Sequence, residues 1–150
     1  LQVIEKVHII QRRKAMSASI STGPVHHLAL TVSDVARSQQ FYTELLGFQR
    51  VMDFGPRALL SNGSVVVALT PAADPAQAIP NDRFNENRIG LDHLSFSVGS
   101  HADLENAVRL LDEKGVSHGE IKDLGPGLPL YVLALRDPDN IQIELTAPHG

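Results

Sequence analysis

Two histidines and one glutamate stand out because their types suit metal chemistry and their placement repeats. His27 opens the run His27-Leu28-Ala29-Leu30-Thr31-Val32, and His93 opens His93-Leu94-Ser95-Phe96-Ser97-Val98; the two runs match position by position in residue or in type. Glu144 sits in a third alternating run, Ile141-Gln142-Ile143-Glu144-Leu145-Thr146. Two imidazoles and a carboxylate are the donors of a facial triad, a set that suits Fe(II) and related divalent ions and leaves about half of an octahedral shell open. A substrate oxygen entering those open positions would be polarised by the ion. A single histidine on a strand is ordinarily a solvated or hydrogen-bonded residue. Two histidines at the same place in two repeats point instead to metal binding.

Strict alternation makes each of these runs a strand. In the first, Leu28, Leu30 and Val32 face one way and His27, Ala29 and Thr31 the other. In its copy, Leu94, Phe96 and Val98 oppose His93, Ser95 and Ser97, and in the last run Ile141, Ile143 and Leu145 oppose Gln142, Glu144 and Thr146. Each strand therefore has one apolar face and one face of small polar residues carrying a His or a Glu. A helix follows each copy. One is expected over about Asp34–Leu46, with Ser33 as N-cap and Gly47 as stop, the other over about Ala102–Lys114, between Ser100 and Gly115. Leu104, Val108 and Leu111 form an apolar stripe on the second helix, as do Val35, Phe41, Leu45 and Leu46 on the first.

Further strands are expected at Gln49–Phe54, Ala58–Ser61 and Val65–Thr70, and then at Val116–Ile121, Leu130–Arg136 and Ile141–Thr146. Asn62-Gly63 reads as a hairpin turn, and Asp137-Pro138-Asp139-Asn140 as a turn in which Asn tolerates left-handed dihedrals. Both halves thus read β-α-β-β-β. The expected organisation is an N-terminal extension over 1–23, a first module over 24–70, a linker over 71–89 and a second module over 90–150. The fold class is α+β: two tandem βαβββ modules forming a curved, cup-like mixed sheet with helices outside and the three ligand-type groups on its floor.

Composition limits the alternatives. The 150 residues suffice for one compact domain or two small modules. The net charge of −4 argues against nucleic-acid binding. No run of ~18 apolar residues suggests a membrane span. There are no cysteines, so disulfides and thiolate metal sites are excluded, and a cytoplasmic location is the default. The apolar start Leu1–Ile10 precedes the basic Arg12-Arg13-Lys14, the reverse of a secretory signal. Residues 1–15 read as an upstream extension, with Met16 as a natural start. His26 falls on the opposite face from His27 by strand parity. His101, His118 and His149 read as solvated, as does the helix face carrying Glu105, Arg109 and Asp112. Asn62-Gly63-Ser64 formally matches a glycosylation acceptor but reads better as a turn, and Gly125-Pro126-Gly127 matches no phosphate loop.

The chain resembles the vicinal oxygen chelate superfamily, which groups glyoxalases, bleomycin resistance proteins and extradiol dioxygenases. The stretch His27–Phe48, with Phe41-Tyr42 and Leu46-Gly47-Phe48, looks like its opening strand and helix. Gly90-Leu91-Asp92-His93-Leu94 looks like the start of the second module, and Arg136-Asp-Pro-Asp-Asn-Ile-Gln-Ile-Glu144-Leu145 like the closing turn and strand. The resemblance covers roughly residues 25–147. It implies one divalent ion per site (Fe, Mn, Zn, Ni or Mg), held by His27, His93 and Glu144. It also implies a homodimer in which His27 of one chain meets His93 and Glu144 of the other. The long linker leaves open a pairing of both modules within one chain.

Departures from the family narrow the chemistry. Lactoylglutathione lyases carry a fourth ligand, a Glu that also moves protons, where this chain has Ala68. Extradiol dioxygenases use the same His, His, Glu set and add a further His outside the ligands and a Tyr; no His occurs between His27 and His93, and the Tyr position aligns with Ala134. Fosfomycin-resistance transferases want that Tyr and a Thr near Ala29. Drug-binding members dispense with the metal, which two retained histidines argue against. Ala29, Ala68, Ser95, Ala134 and Gln142 are the expected substrate-lining residues. The expected function is a metal-dependent enzyme of glyoxalase-like lyase or dioxygenase class acting on a small oxygen-chelating molecule, but not an efficient lactoylglutathione lyase. The ion would stabilise an oxyanion or enediolate, or activate oxygen. The alternative from another class is a protein that sequesters a small toxic compound without turnover.

Overall fold

The computed structural model describes residues 19–150. The expected extension over 1–15, and most of 1–23, lies outside the described residues. The elements run β1 (His27–Thr31), α1 (Val35–Glu44), β2 (Gln49–Phe54), β3 (Arg57–Ser61), β4 (Val66–Thr70), β5 (Leu94–Ser97), α2 (His101–Glu113), β6 (Lys122–Asp123), β7 (Leu130–Arg136) and β8 (Gln142–Pro148). A single 3-10 turn, Pro75–Gln77, interrupts the segment between β4 and β5. Among the described residues no helix is long and apolar enough to cross a membrane.

The two halves repeat in topology as they do in sequence. One four-stranded sheet has the order β1-β4-β3-β2 and the other β5-β8-β7-β6. In each, the first strand runs parallel to the last strand and all other pairings are antiparallel. This is the expected α+β architecture of two βαβββ units with open mixed sheets. Within one chain the cup is divided: β1 and β5 are both edge strands and do not pair with each other.

Alternation sorts the side chains as expected. Leu30, Leu60, Val67, Leu69, Leu133, Leu135, Ile143 and Leu145 are buried, and they form one core with Leu104 and Leu111 of α2. The opposite faces of β1 and β5 are open, with His27, Ala29, Thr31, Ser95 and Ser97 all exposed. Tyr42 and Ser38 are the buried residues of α1, a position the apolar stripe did not predict. The Tyr42 ring packs edge-on against Phe41 and Phe48, and Phe48 in turn meets Phe96 at 5.5 Å across the two modules.

The β7–β8 turn joins the halves. The Tyr42 hydroxyl donates to Asp137 Oδ2 at 3.0 Å, while Asp137 Oδ1 accepts from the backbone of Asp139 and Ile141 at 2.9 and 2.8 Å. Burial pushes the Asp137 carboxyl above its usual range, and burial plus that carboxyl push the Tyr42 phenol upward, so the phenol keeps its proton and donates. Asn140 closes the turn at φ 68°, the left-handed conformation its side chain tolerates.

Three local expectations are corrected. The N-cap of α1 is Asp34, which accepts from Arg37 N at 3.0 Å. Ser33 instead donates its backbone N–H and hydroxyl to Asp139, a partner remote in sequence. Ser100 does cap α2, accepting from Asp103 N. The strand expected over Val116–Ile121 is displaced to the short β6, leaving one isolated bridge between His118 and Leu135. Val116–Ile121 has apolar residues only at its two ends and a glycine within, too little alternation to fix a strand. His118 and His149 are not simply solvated. His118 binds Asp112 and the Gly119 carbonyl, which raise its pKa, and His149 binds Asp123 at 2.7 Å and lies against the Tyr131 ring.

Candidate metal and substrate site

His93 lies immediately before β5, and Glu144 lies on the adjacent β8, opposite Ser95 in register. Their side chains converge, with His93 Nε2 3.8 Å from Glu144 Oε1. Two metal–ligand bonds of ~2.1 Å would span that gap. The other ring nitrogen, Nδ1, is 2.6 Å from Asp92 Oδ1. A carboxylate at Nδ1 keeps the proton there and leaves Nε2 a lone pair, the tautomer a metal ligand requires. Gln142 Nε2 donates to the same Asp92 oxygen at 3.4 Å. Thr146 donates to Glu144 Oε1 at 3.1 Å and its hydroxyl also meets that of Ser95. Asp92, His93, Gln142, Glu144, Thr146 and Ser95 thus form one polar network on the open face of the second sheet.

His27 stands on the first sheet, at the exposed end of β1. Its Nδ1 is 2.9 Å from His26 Nδ1, with the two rings edge-on. His26 precedes the strand, so strand parity does not carry it to the far face. One of the two nitrogens must donate and the other accept; where His27 Nδ1 is the donor, its Nε2 keeps the lone pair a metal would need. Among the described residues of one chain, no three His, Cys, Asp or Glu side chains gather closely enough to hold an ion. One chain therefore brings two of the three candidate ligands together, His93 with Glu144, and leaves His27 apart from them.

Of the expected substrate-lining residues, Ala29 and Ser95 are exposed, Ala134 and Gln142 half-buried and Ala68 buried. Ala29 and Ala68 are direct register partners, and Ala68 is paired on its other side with Leu59. Ala68 is nearly buried among these neighbours at 6% exposure. Ala134 lies opposite Glu144. Ala29 and Ala68 thus share the first sheet with His27, and Ala134 is the β7 partner of Glu144 on the second.

The family model for the glyoxalase/bleomycin resistance protein/dioxygenase superfamily matches residues 25–145. The chain belongs to this superfamily. It is 34% identical over 128 residues to the uncharacterized protein YwkD of Bacillus subtilis (strain 168), covering 81% of this chain and 94% of that protein. The crystal structure of a glyoxylase/bleomycin resistance protein/dioxygenase domain from Frankia sp. EAN1pec superposes with a TM-score of 0.66 at 30% identity, covering 87% of this chain and 93% of the other. A lactoylglutathione lyase from Agrobacterium tumefaciens shares the fold at a TM-score of 0.66 and 17% identity, covering 85% of this chain and 96% of that one.

Within this superfamily fold, sequence reasoning missed Asp92 and Thr146 as supports for the donors. Asp92 carried a usable signal, an acid directly before a ligand-type His. Thr146 carried less, because its hydroxyl is brought to Glu144 by the period-2 spacing of one strand face. Arg136 and Glu86 were also missed. Their double contact, 2.7 and 3.0 Å, holds the segment before β5 against β7, and the guanidinium keeps the Glu86 carboxyl down at about 2.

Proposed function

We propose that this superfamily member is a divalent-metal-dependent enzyme acting on a small organic substrate that chelates through oxygen. His93 and Glu144 of one chain and His27 of a second chain would hold the ion. The observation that carries the reading is the His93–Glu144 convergence at 3.8 Å, with Asp92 fixing the His93 tautomer and Nε2 turned to the carboxylate. A bound divalent ion supplies Lewis acidity at an electron-rich oxygen. Asp92 orients the imidazole, Thr146 orients the carboxylate, and Ala29, Ala68 and Ala134 leave space for a bidentate substrate, with Ser95 and Gln142 as polar groups beside it. The ion could be Fe, Mn, Zn, Ni or Mg. A cytoplasmic location is part of the proposal.

The homodimer belongs to the same proposal. β1 and β5 are unpaired edges, each beside a candidate ligand. Joining β1 of one chain to β5 of another across a two-fold axis would close both edges and bring His27 to the His93–Glu144 pair. The test is elemental analysis of protein purified without added metal, with light scattering for its size, then a small substrate panel run with and without chelator. About one divalent ion per chain, a dimeric mass and chelator-sensitive turnover are expected. Saturable ligand binding with no turnover and no metal requirement would favour a sequestration protein instead.

A further inference from the structure

One cavity is lined by none of His27, His93 or Glu144. It is an open cleft with a volume of about 730 Å³, bordered by the β1–α1 corner, the segment between β4 and β5, and the β7–β8 turn. That size falls within the ~300–1,000 Å³ of small-molecule sites. Its outer wall is fastened to the turn by two hydrogen bonds, Phe84 N to Asp139 O and Asn140 Nδ2 to Phe84 O, each 2.9 Å. The lining includes three arginines and two carboxylates. Arg37 is held by Ser33 and Asp139, and Arg88 is paired with Asp82 at 3.2 Å. Arg83 has no hydrogen bond or ion pair among the described residues and stands as an uncompensated cation, in a chain whose net charge is −4. Ile79 and Ile89, 61% and 108% exposed, and Leu91 add an apolar surface to the same cavity.

We infer that this cavity binds a small organic anion, a carboxylate attached to an apolar body. The guanidinium of Arg83 would receive the carboxylate, with Arg88 beside it, and the isoleucines and Leu91 would cover the hydrocarbon. A guanidinium presents a planar fork of donors that matches a carboxylate. Apolar side chains that face water gain free energy by covering a hydrocarbon group. The inference does not depend on the metal-site reading, because it uses none of the same residues.

The test is calorimetric titration of the full chain, in its solution assembly, with hydrocinnamate and with the neutral hydrocinnamide of the same shape. The expected result is saturable binding of the acid and binding of the amide weaker by about tenfold or more, the scale of a charge-assisted contact. Arg83→Gln should reduce acid binding to about the level of the amide, and Ile89→Asp should weaken it further by setting a like charge at the site. His93→Ala should leave it unchanged. Equal binding of acid and amide, or no effect of Arg83→Gln, would overturn the assignment. So would loss of binding in His93→Ala, which would put the ligand beside the His93–Glu144 pair. Absence of saturable binding in the wild-type assembly would also overturn it, since the cavity would then be filled by the second copy or unable to hold the anion.

Discussion

His93 is poised by its neighbour more than by its strand. Asp92 touches Nδ1 at 2.6 Å, and a carboxylate there fixes the orientation and tautomer of the ring. Replacing Asp92 by Ala should therefore weaken divalent-metal affinity by ~10–100-fold while leaving the fold intact, since Asp92 is exposed. Equilibrium dialysis against a chelator-buffered metal checks this, and unchanged affinity would remove Asp92 from the site. Ala68 gives a second prediction. Moving a proton between adjacent carbons requires a base near the metal, and the position equivalent to Glu144 in the first sheet holds Ala68, between Ala29 and Leu59. The hemithioacetal of methylglyoxal and glutathione should turn over well below ~10 per second, with any gain confined to Ala68→Glu. Turnover at that rate in the wild type would contradict the reading. The approach of His93 to Glu144 was legible from residue type and repeat, whereas His27 stands on the other sheet. Asp92 was visible only as part of a motif, because nothing in a sequence says which way an exposed carboxylate turns.

Strand alternation is the physical signal that made the elements legible. It sets every other side chain on one face, so the buried and open faces of β1, β5 and β8 follow from the residue types. What alternation does not carry is a contact between elements remote in sequence. Tyr42 on α1 is fully buried because its hydroxyl reaches Asp137 of the β7–β8 turn, a partner 95 residues away. The same turn took Ser33 from its expected cap role through Asp139. Tyr42→Phe should destabilise the protein by about 1.5–3 kcal/mol, the scale of a hydrogen bond to a charged group. Urea unfolding measures it, and an unchanged midpoint would show that the bond adds nothing. The segment before β5 gives a pH prediction through Glu86, whose carboxyl is held at about 2 by Arg136. A depressed carboxylate contributes stability above its unfolded pKa near ~4.3, and that contribution is lost as pH falls toward 2. Glu86→Gln should therefore reduce stability at neutral pH and flatten the acid limb between those values. An acid limb identical to the wild type would sink the assignment. The displaced β6 shows the limit of short runs: its two residues, Lys122 and Asp123, are both charged and carry no apolar alternation to read.

At the scale of the whole molecule, the repeat defined two modules, but pairing between them depends on edges that a sequence does not rank. The described chain leaves β1 and β5 unpaired and sets His27 on one sheet and His93 with Glu144 on the other. A two-fold dimer would turn these separated donors into two complete sites, each drawing from both chains. The most direct measurement mixes His27→Ala chains with Glu144→Ala chains, dissociates and re-associates them, and counts tightly bound divalent metal per chain. Each parent alone should bind little. In a randomly re-associated mixture half of the dimers are mixed and each carries one intact site, so about a quarter of the wild-type metal should return. Metal that stays at the level of the parents would contradict a site shared between chains.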